Sequence, residues 1–142
     1  MPENALARFS SCSPYAYLLT FPMARLLIYA TDELLAELVR AALVGLDIEI
    51  RMAHDRIRFE QLARRMVFDL VLVLEAAPLW SGRAFFRRVR PRPLRRPEIY
   101  VIARHQRDET VLGLLESGVD QYMTFPLNLS RLRGKVIYAL GR

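Results

Sequence analysis

The side chains most able to do chemistry lie in one stretch. Seven arginines stand between Arg83 and Arg96 with no acid among them, and Trp80, Phe85 and Phe86 lie beside them. Arg83, Arg87 and Arg88 are at helical spacing and can share a face. Arg90, Arg92, Arg95 and Arg96 continue into RPRPLRRP, where prolines restrict the backbone and lower the cost of ordering it on binding. Arginine with aromatics can hold phosphates and stack on bases, or anchor a protein interface. It can equally be a solvated face. Other chemistry is sparse. Cys12 is the single cysteine and has no internal disulfide partner. His54 and His105 lie far apart, and there is no CxxC pair, so no zinc site is expected. No glycine-rich phosphate loop or catalytic pair is present, which argues against an enzyme.

The bulk properties suit one compact unit. The chain has 142 residues, 53% hydrophobic and 25% charged, with a formal net charge of +6. The seven arginines alone exceed that excess, so the basic character is local. No apolar run approaches the roughly 20 residues needed to span a bilayer. The unpaired cysteine suits a reducing cytoplasm, and no membrane association is expected.

Residues 1–22 lack a clear period and carry Pro2, Pro14 and Pro22, so a flexible N-terminal extension is expected there. They also lack a basic leader and a clean cleavage site, and no signal peptide is read. The domain proper is expected over residues 23–142. Arg25–Ala30 reads as a buried strand. Thr31 can cap a helix carrying Asp32 and Glu33 in its first turn, with Leu34, Leu35, Leu38, Val39, Ala42 and Leu43 at helical spacing and Gly45 as its stop. Asp47–Met52 alternates like a strand near a sheet edge. Arg56–Met66 follows as a helix with Ile57, Leu62 and Met66 inward. Asp69–Leu74 is continuously apolar after its first residue, as a central parallel strand must be. A short helix is expected over 81–89 and a loop over 90–97. Then come a strand at Ile99–Ala103, a helix at Asp108–Ser117 stopped by Gly118, a strand at Val119–Met123 and a helix at Ser130–Leu140. Five strands alternating with five helices give a doubly wound parallel sheet, (βα)5, by right-handed crossovers.

Three local signatures in this order resemble the receiver domain of bacterial response regulators, over about residues 23–142. FDLVLVLEAAPLWSG (68–82) resembles the segment around the family's phosphoacceptor, with Asp69, Pro78 and Gly82 on matching positions. ESGVDQYMTFPL (116–127) resembles the segment around its conserved lysine, with Gly118, Asp120, Tyr122 and Pro126 matching. MARLLIYATDELL resembles the opening strand that runs into a pair of acids. The resemblance implies a flavodoxin-like (CheY-like) α/β fold.

It also implies a chemistry: phosphoryl transfer to an aspartate, which needs a carboxylate nucleophile, a divalent cation held by carboxylates and a lysine. This chain departs from that set at every position. Leu74 aligns with the phosphoacceptor, Ala30 and Thr31 with the acidic pair, and Phe125 with the lysine. The hydroxyl position aligns with Ile102, or with Ala103 if the gap is placed elsewhere. Asp32 and Glu75 are the acids that can survive, Asp32 by a one-residue shift and Glu75 by a bulge, since adjacent strand side chains point to opposite faces. Tyr122 matches the aromatic that changes rotamer in phosphorylated receivers, and here it is expected in one position.

The resulting expectation is a pseudo-receiver. It would hold no metal or cofactor and would act on a histidine kinase, a regulator or another receiver by protein contact, independently of phosphorylation. A homodimer is the further expectation, through the fourth helix, fifth strand and fifth helix, where Arg131, Arg133, Lys135 and Tyr138 would face acids such as Asp108, Glu109 and Glu116. The alternative is a nucleic-acid module using the arginine stretch, against which no DNA-binding unit follows the last helix.

Overall fold

A computed structural model of the chain describes residues 23–75, 97–104, 106–125 and 128–141. They form five strands and four helices: β1 (Ala24–Ala30), α1 (Glu33–Ala42), β2 (Ile48–Ala53), α2 (Arg56–Arg65), β3 (Leu70–Leu74), β4 (Glu98–Ala103), α3 (Asp108–Glu116), β5 (Gln121–Thr124) and α4 (Leu129–Leu140). The helix expected over 81–89, the loop over 90–97 and the extension over 1–22 lie outside the described residues. The expected fourth and fifth helices are therefore α3 and α4.

The strands build one sheet in the order β2-β1-β3-β4-β5, with every neighbouring pair parallel. This is the flavodoxin-like order, in which the strand that follows β1 and the strand that follows β3 lie to opposite sides of that pair. Burial follows position. All five residues of central β3 are buried, while edge strands β2 and β5 are mostly half-buried. The alternation of β3 sends Val71 and Val73 into one core cluster with Phe59 and Leu62 of α2 and Leu114 of α3. Leu70, Leu72 and Leu74 go into the other, with Ala36 and Val39 of α1 and Leu132, Val136 and Ala139 of α4. Both faces are covered, so the apolar run of β3 has no polar side.

Several expectations about helix faces change. Asp32, not Thr31, is the N-cap of α1: its Oδ1 accepts the N–H groups of Leu34 and Leu35 at 2.9 and 3.2 Å. Leu34 is 83% exposed and Leu38 is also exposed, because the packed stripe is Ala36, Val39 and Leu43 at i, i+3 and i+7. On α2 the inward residues are Phe59 and Leu62, with Met66 packed behind them. Ile57 lies half a turn away and is 73% exposed. Gly45 and Gly118 do mark helix ends, at φ +88° and +109°, in the left-handed region that favours glycine.

Two aspartates tie strand starts together at the amino end of the sheet. Asp69 accepts the Arg25 N–H on Oδ2 at 2.9 Å and donates its own N–H to the Arg25 carbonyl at 2.8 Å. Asp120 repeats the motif on Ile99, with both bonds at 2.7 Å. Each carboxylate holds a neighbouring strand in register before the ladder begins, which gives a structural reason for aspartate at both positions.

Candidate functional site

In a sheet of this order, ligands bind beyond the carboxyl ends of the strands, beside the point where the crossovers diverge. Here that point lies between β1 and β3. The pairing places Ala30 level with Leu74, Leu74 level with Ile102, and Ile102 level with Met123. Ala30, Leu74 and Ile102 have no solvent exposure and share one apolar cluster, against which Phe125 packs half-buried. Four of the five positions singled out in the sequence are thus brought together. Thr31, the fifth, is exposed at the rim. A row of aliphatic side chains offers no nucleophile and no oxygen ligand. Among the described residues no group of three or more His, Cys, Asp or Glu is placed to hold a metal ion.

The two acids take different roles. Asp32 is exposed and its carboxylate caps α1. Glu75 follows the last residue of β3 with φ +50°, a left-handed backbone that costs a non-glycine residue about 1–2 kcal/mol. Its N–H still donates to the Ile102 carbonyl at 2.9 Å, so the turn begins after the ladder closes. The turn carries the side chain to the end of β4. There Oε2 accepts the Arg104 backbone N–H in a short hydrogen bond, and Oε1 lies 3.6 Å from the Arg104 guanidinium.

Tyr122 meets the same residue from β5. Its hydroxyl donates to the Arg104 carbonyl at 2.7 Å, and the Gln106 side-chain amide donates to that carbonyl at 3.1 Å. The ring packs against the core cluster on the α2–α3 side. Burial, with the Glu75 charge adding to it, pushes the Tyr122 phenol above its ordinary pKa, although a backbone hydrogen bond at Gln106 pulls the other way.

Sequence reading missed Arg104, Gln106 and His54. The Nδ1 of His54, at the end of β2, lies 2.8 Å from the Ala30 carbonyl, so this histidine closes the β1 edge of the row. Each of the three is a polar residue just past a strand, a position that marks a sheet rim but names no partner.

The expected pairing face is α3–β5–α4. Leu112 and Leu115 of α3 are exposed, and Tyr138 of α4 is 85% exposed. Lys135 donates to Gln121 of β5 at 2.9 Å, and with Arg131 it lines a groove of about 360 Å³ between β5 and α4. Arg133 does not belong to this face. Its Nη1 donates to the Ala42 and Val44 carbonyls at 3.1 and 2.7 Å, because α4 lies against the C-terminus of α1. The arginine patch, Arg83, Arg87, Arg88, Arg90, Arg92, Arg95 and Arg96, lies outside the described residues. Among the described residues no helix is long and apolar enough to cross a membrane.

No protein-family model matches the chain. Over 112 residues it is 30% identical to "Transcriptional regulatory protein DltR" of Streptococcus agalactiae, a match covering 79% of this chain and 50% of that protein. Identity, length and coverage are the same for "Response regulator protein PmrA" of Pseudomonas aeruginosa. The chain spans about half the length of these curated relatives. Its structure matches that of a two-component response regulator from Clostridium difficile with a TM-score of 0.72 and 24% identity, over 84% of this chain and 98% of that one. The chain therefore has the response regulator receiver, or CheY-like, fold.

Proposed function

We propose that this chain is a receiver-type domain of two-component signalling that works without being phosphorylated and without catalysis of its own. One observation carries the reading. At the end of β3, where a receiver places its phosphoacceptor, stands Leu74, fully buried between Ala30 and Ile102. A buried leucine has no lone pair to attack a phosphoryl group, and an aliphatic row cannot replace the hydration shell of a divalent cation. Phe125 at the lysine position leaves nothing there to neutralise phosphoryl oxygens. The domain then acts through its surface on a histidine kinase, a regulator or another receiver. The test is incubation with acetyl phosphate and Mg2+, and with beryllofluoride and Mg2+, read by intact mass and by amide spectra. Unchanged mass and spectra are expected. Stable phosphorylation, or Mg2+ binding at millimolar concentration, would sink the reading.

The α3–β5–α4 face suits a second copy. Exposed Leu112, Leu115 and Tyr138 supply apolar area, while Arg131 on α4 and the Asp108–Glu109 pair on α3 supply opposite charges. Light scattering across a concentration series checks this, with Tyr138→Asp expected to shift the balance toward monomer.

The second reading, nucleic-acid binding, is favoured by the seven arginines between residues 83 and 96. It requires affinity that falls steeply with salt and disappears when Arg87, Arg88, Arg95 and Arg96 become alanine.

A further inference from the structure

Arg104 is the residue on which the carboxyl end of the sheet converges. Its backbone N–H is taken by Glu75, its carbonyl by both Tyr122 and Gln106, and its guanidinium lies beside the Glu75 carboxylate. One peptide segment after β4 is therefore gripped from β3 on one side and from β5 on the other. Such a grip matters only if the segment would otherwise move. Arg104 is exposed, with its side chain 85% open to solvent, so packing does little to hold it. The hydrogen bonds must.

The grip also has a cost. Glu75 is the one described non-glycine residue with positive φ. A backbone of that kind persists where surrounding contacts over-determine it. Three contacts do so here: its N–H on Ile102, its carboxylate on the Arg104 N–H, and the guanidinium beside it.

The geometry points to a built-in latch: Glu75 and Tyr122, joined through Arg104, hold the post-β4 segment and the Tyr122 ring in a single arrangement. The inference rests on the phosphorylation-independent reading, since a fixed arrangement suits a domain that receives no phosphoryl signal. It assigns Glu75 and Tyr122 as positioning residues. Glu75 holds the peptide that enters Arg104 and Tyr122 the peptide that leaves it, so the two bonds together fix the backbone on both sides of the Arg104 Cα. The surface around the β4 and β5 ends is then preset for a partner. The electrostatics agree, because the Glu75 charge favours the protonated Tyr122 hydroxyl that donates the bond.

The latch makes a reciprocal claim that mere proximity does not. Tyr122 never touches the Arg104 N–H, yet removing its hydroxyl should loosen that N–H. Amide hydrogen exchange of the full chain, resolved by NMR, reads this for Glu75→Ala, Tyr122→Phe and the double variant. Glu75→Ala is expected to speed exchange at Arg104 by about tenfold, the worth of one charge-assisted hydrogen bond. Tyr122→Phe is expected to speed it several-fold although the acceptor is intact, and the double variant should fall short of the product of the two. Unchanged Arg104 exchange in Tyr122→Phe, or a double variant equal to the product, would overturn the latch. Should Glu75→Ala unfold, Glu75→Gln keeps an acceptor without charge and is expected to lie between the two. Equal exchange in Glu75→Gln and wild type would then count against the latch. Beryllofluoride with Mg2+ on the same samples separates the two ideas: spectral changes at Leu74 and Glu75 would remove the phosphorylation-independent reading, whereas the exchange ratios judge the latch.

Discussion

Leu74 lies level with Ala30 across the β1–β3 pair, and neither side chain has any solvent exposure. This relationship closes the sheet end at which a receiver does its chemistry. Restoring an acid there should therefore be costly. Leu74→Asp would bury a carboxylate among Ala30, Ile102 and Phe125 with no cation beside it. It is expected to destabilise the fold by about 3–5 kcal/mol in urea titrations at neutral pH. It is also expected to stay unphosphorylated by acetyl phosphate. A stable, phosphorylated variant would show the row to be more open than the aliphatic packing implies.

The aspartate ties at the opposite end of the sheet should be structural. Asp120→Ala leaves the buried Ile99 N–H without its 2.7 Å acceptor. A loss of about 1–2 kcal/mol in chemical denaturation is expected, with protein contacts unaffected once the fold is intact. Asp120→Asn, which keeps an acceptor oxygen, should recover part of it.

Arg133 joins two helices distant in sequence. Its guanidinium satisfies carbonyls at the C-terminus of α1, where the helix dipole also favours a cation. Arg133→Ala is expected to cost about 1–2 kcal/mol, and Arg133→Lys less, since both bonds come from one nitrogen and an ammonium also carries enough donors for two carbonyls. Thermal melts of the pair check this. Little loss in both would mean that water serves the α1 carbonyls as well.

The alkaline limb of stability should carry a signature of Tyr100. Burial, followed by the Glu98 charge, pushes its phenol up to about 12. The folded-state value lies above the unfolded one, so the folded chain holds the proton longer. Its contribution is complete below pH 10 and is lost as pH rises toward 12. Phenolate absorbance in the native protein should show a group ionising last, and Tyr100→Phe should remove it and flatten the decline. On the acid side, hydrogen bonds from Arg51 and then Arg25 hold the Glu49 carboxyl below its usual range. Its contribution is present at neutral pH and fades as pH falls through that lowered value. Glu49→Gln should lessen the acid dependence.

The order and type of the elements were legible in the sequence because they rest on local rules. The DLVLVL run can only be a strand covered on both faces, and β3 is buried throughout. Ala30, Leu74, Ile102 and Phe125 were singled out by the family resemblance, and what gathers them in one apolar cluster is the parallel pairing that brings successive strand ends to one rim. Other features depended on neighbours far along the chain. Nothing local distinguishes Leu34 from Val39; where the sheet lies relative to α1 decides that one is exposed and the other buried. Alternation alone would send Glu75 across the sheet, but a left-handed turn delivers it to Arg104. Arg133 reads as a surface cation until α4 is laid beside α1. Periodicity determines that a chain forms a given strand or helix, because it concerns adjacent residues. The direction of a long polar side chain is decided by whichever unsatisfied group the tertiary structure brings within its reach.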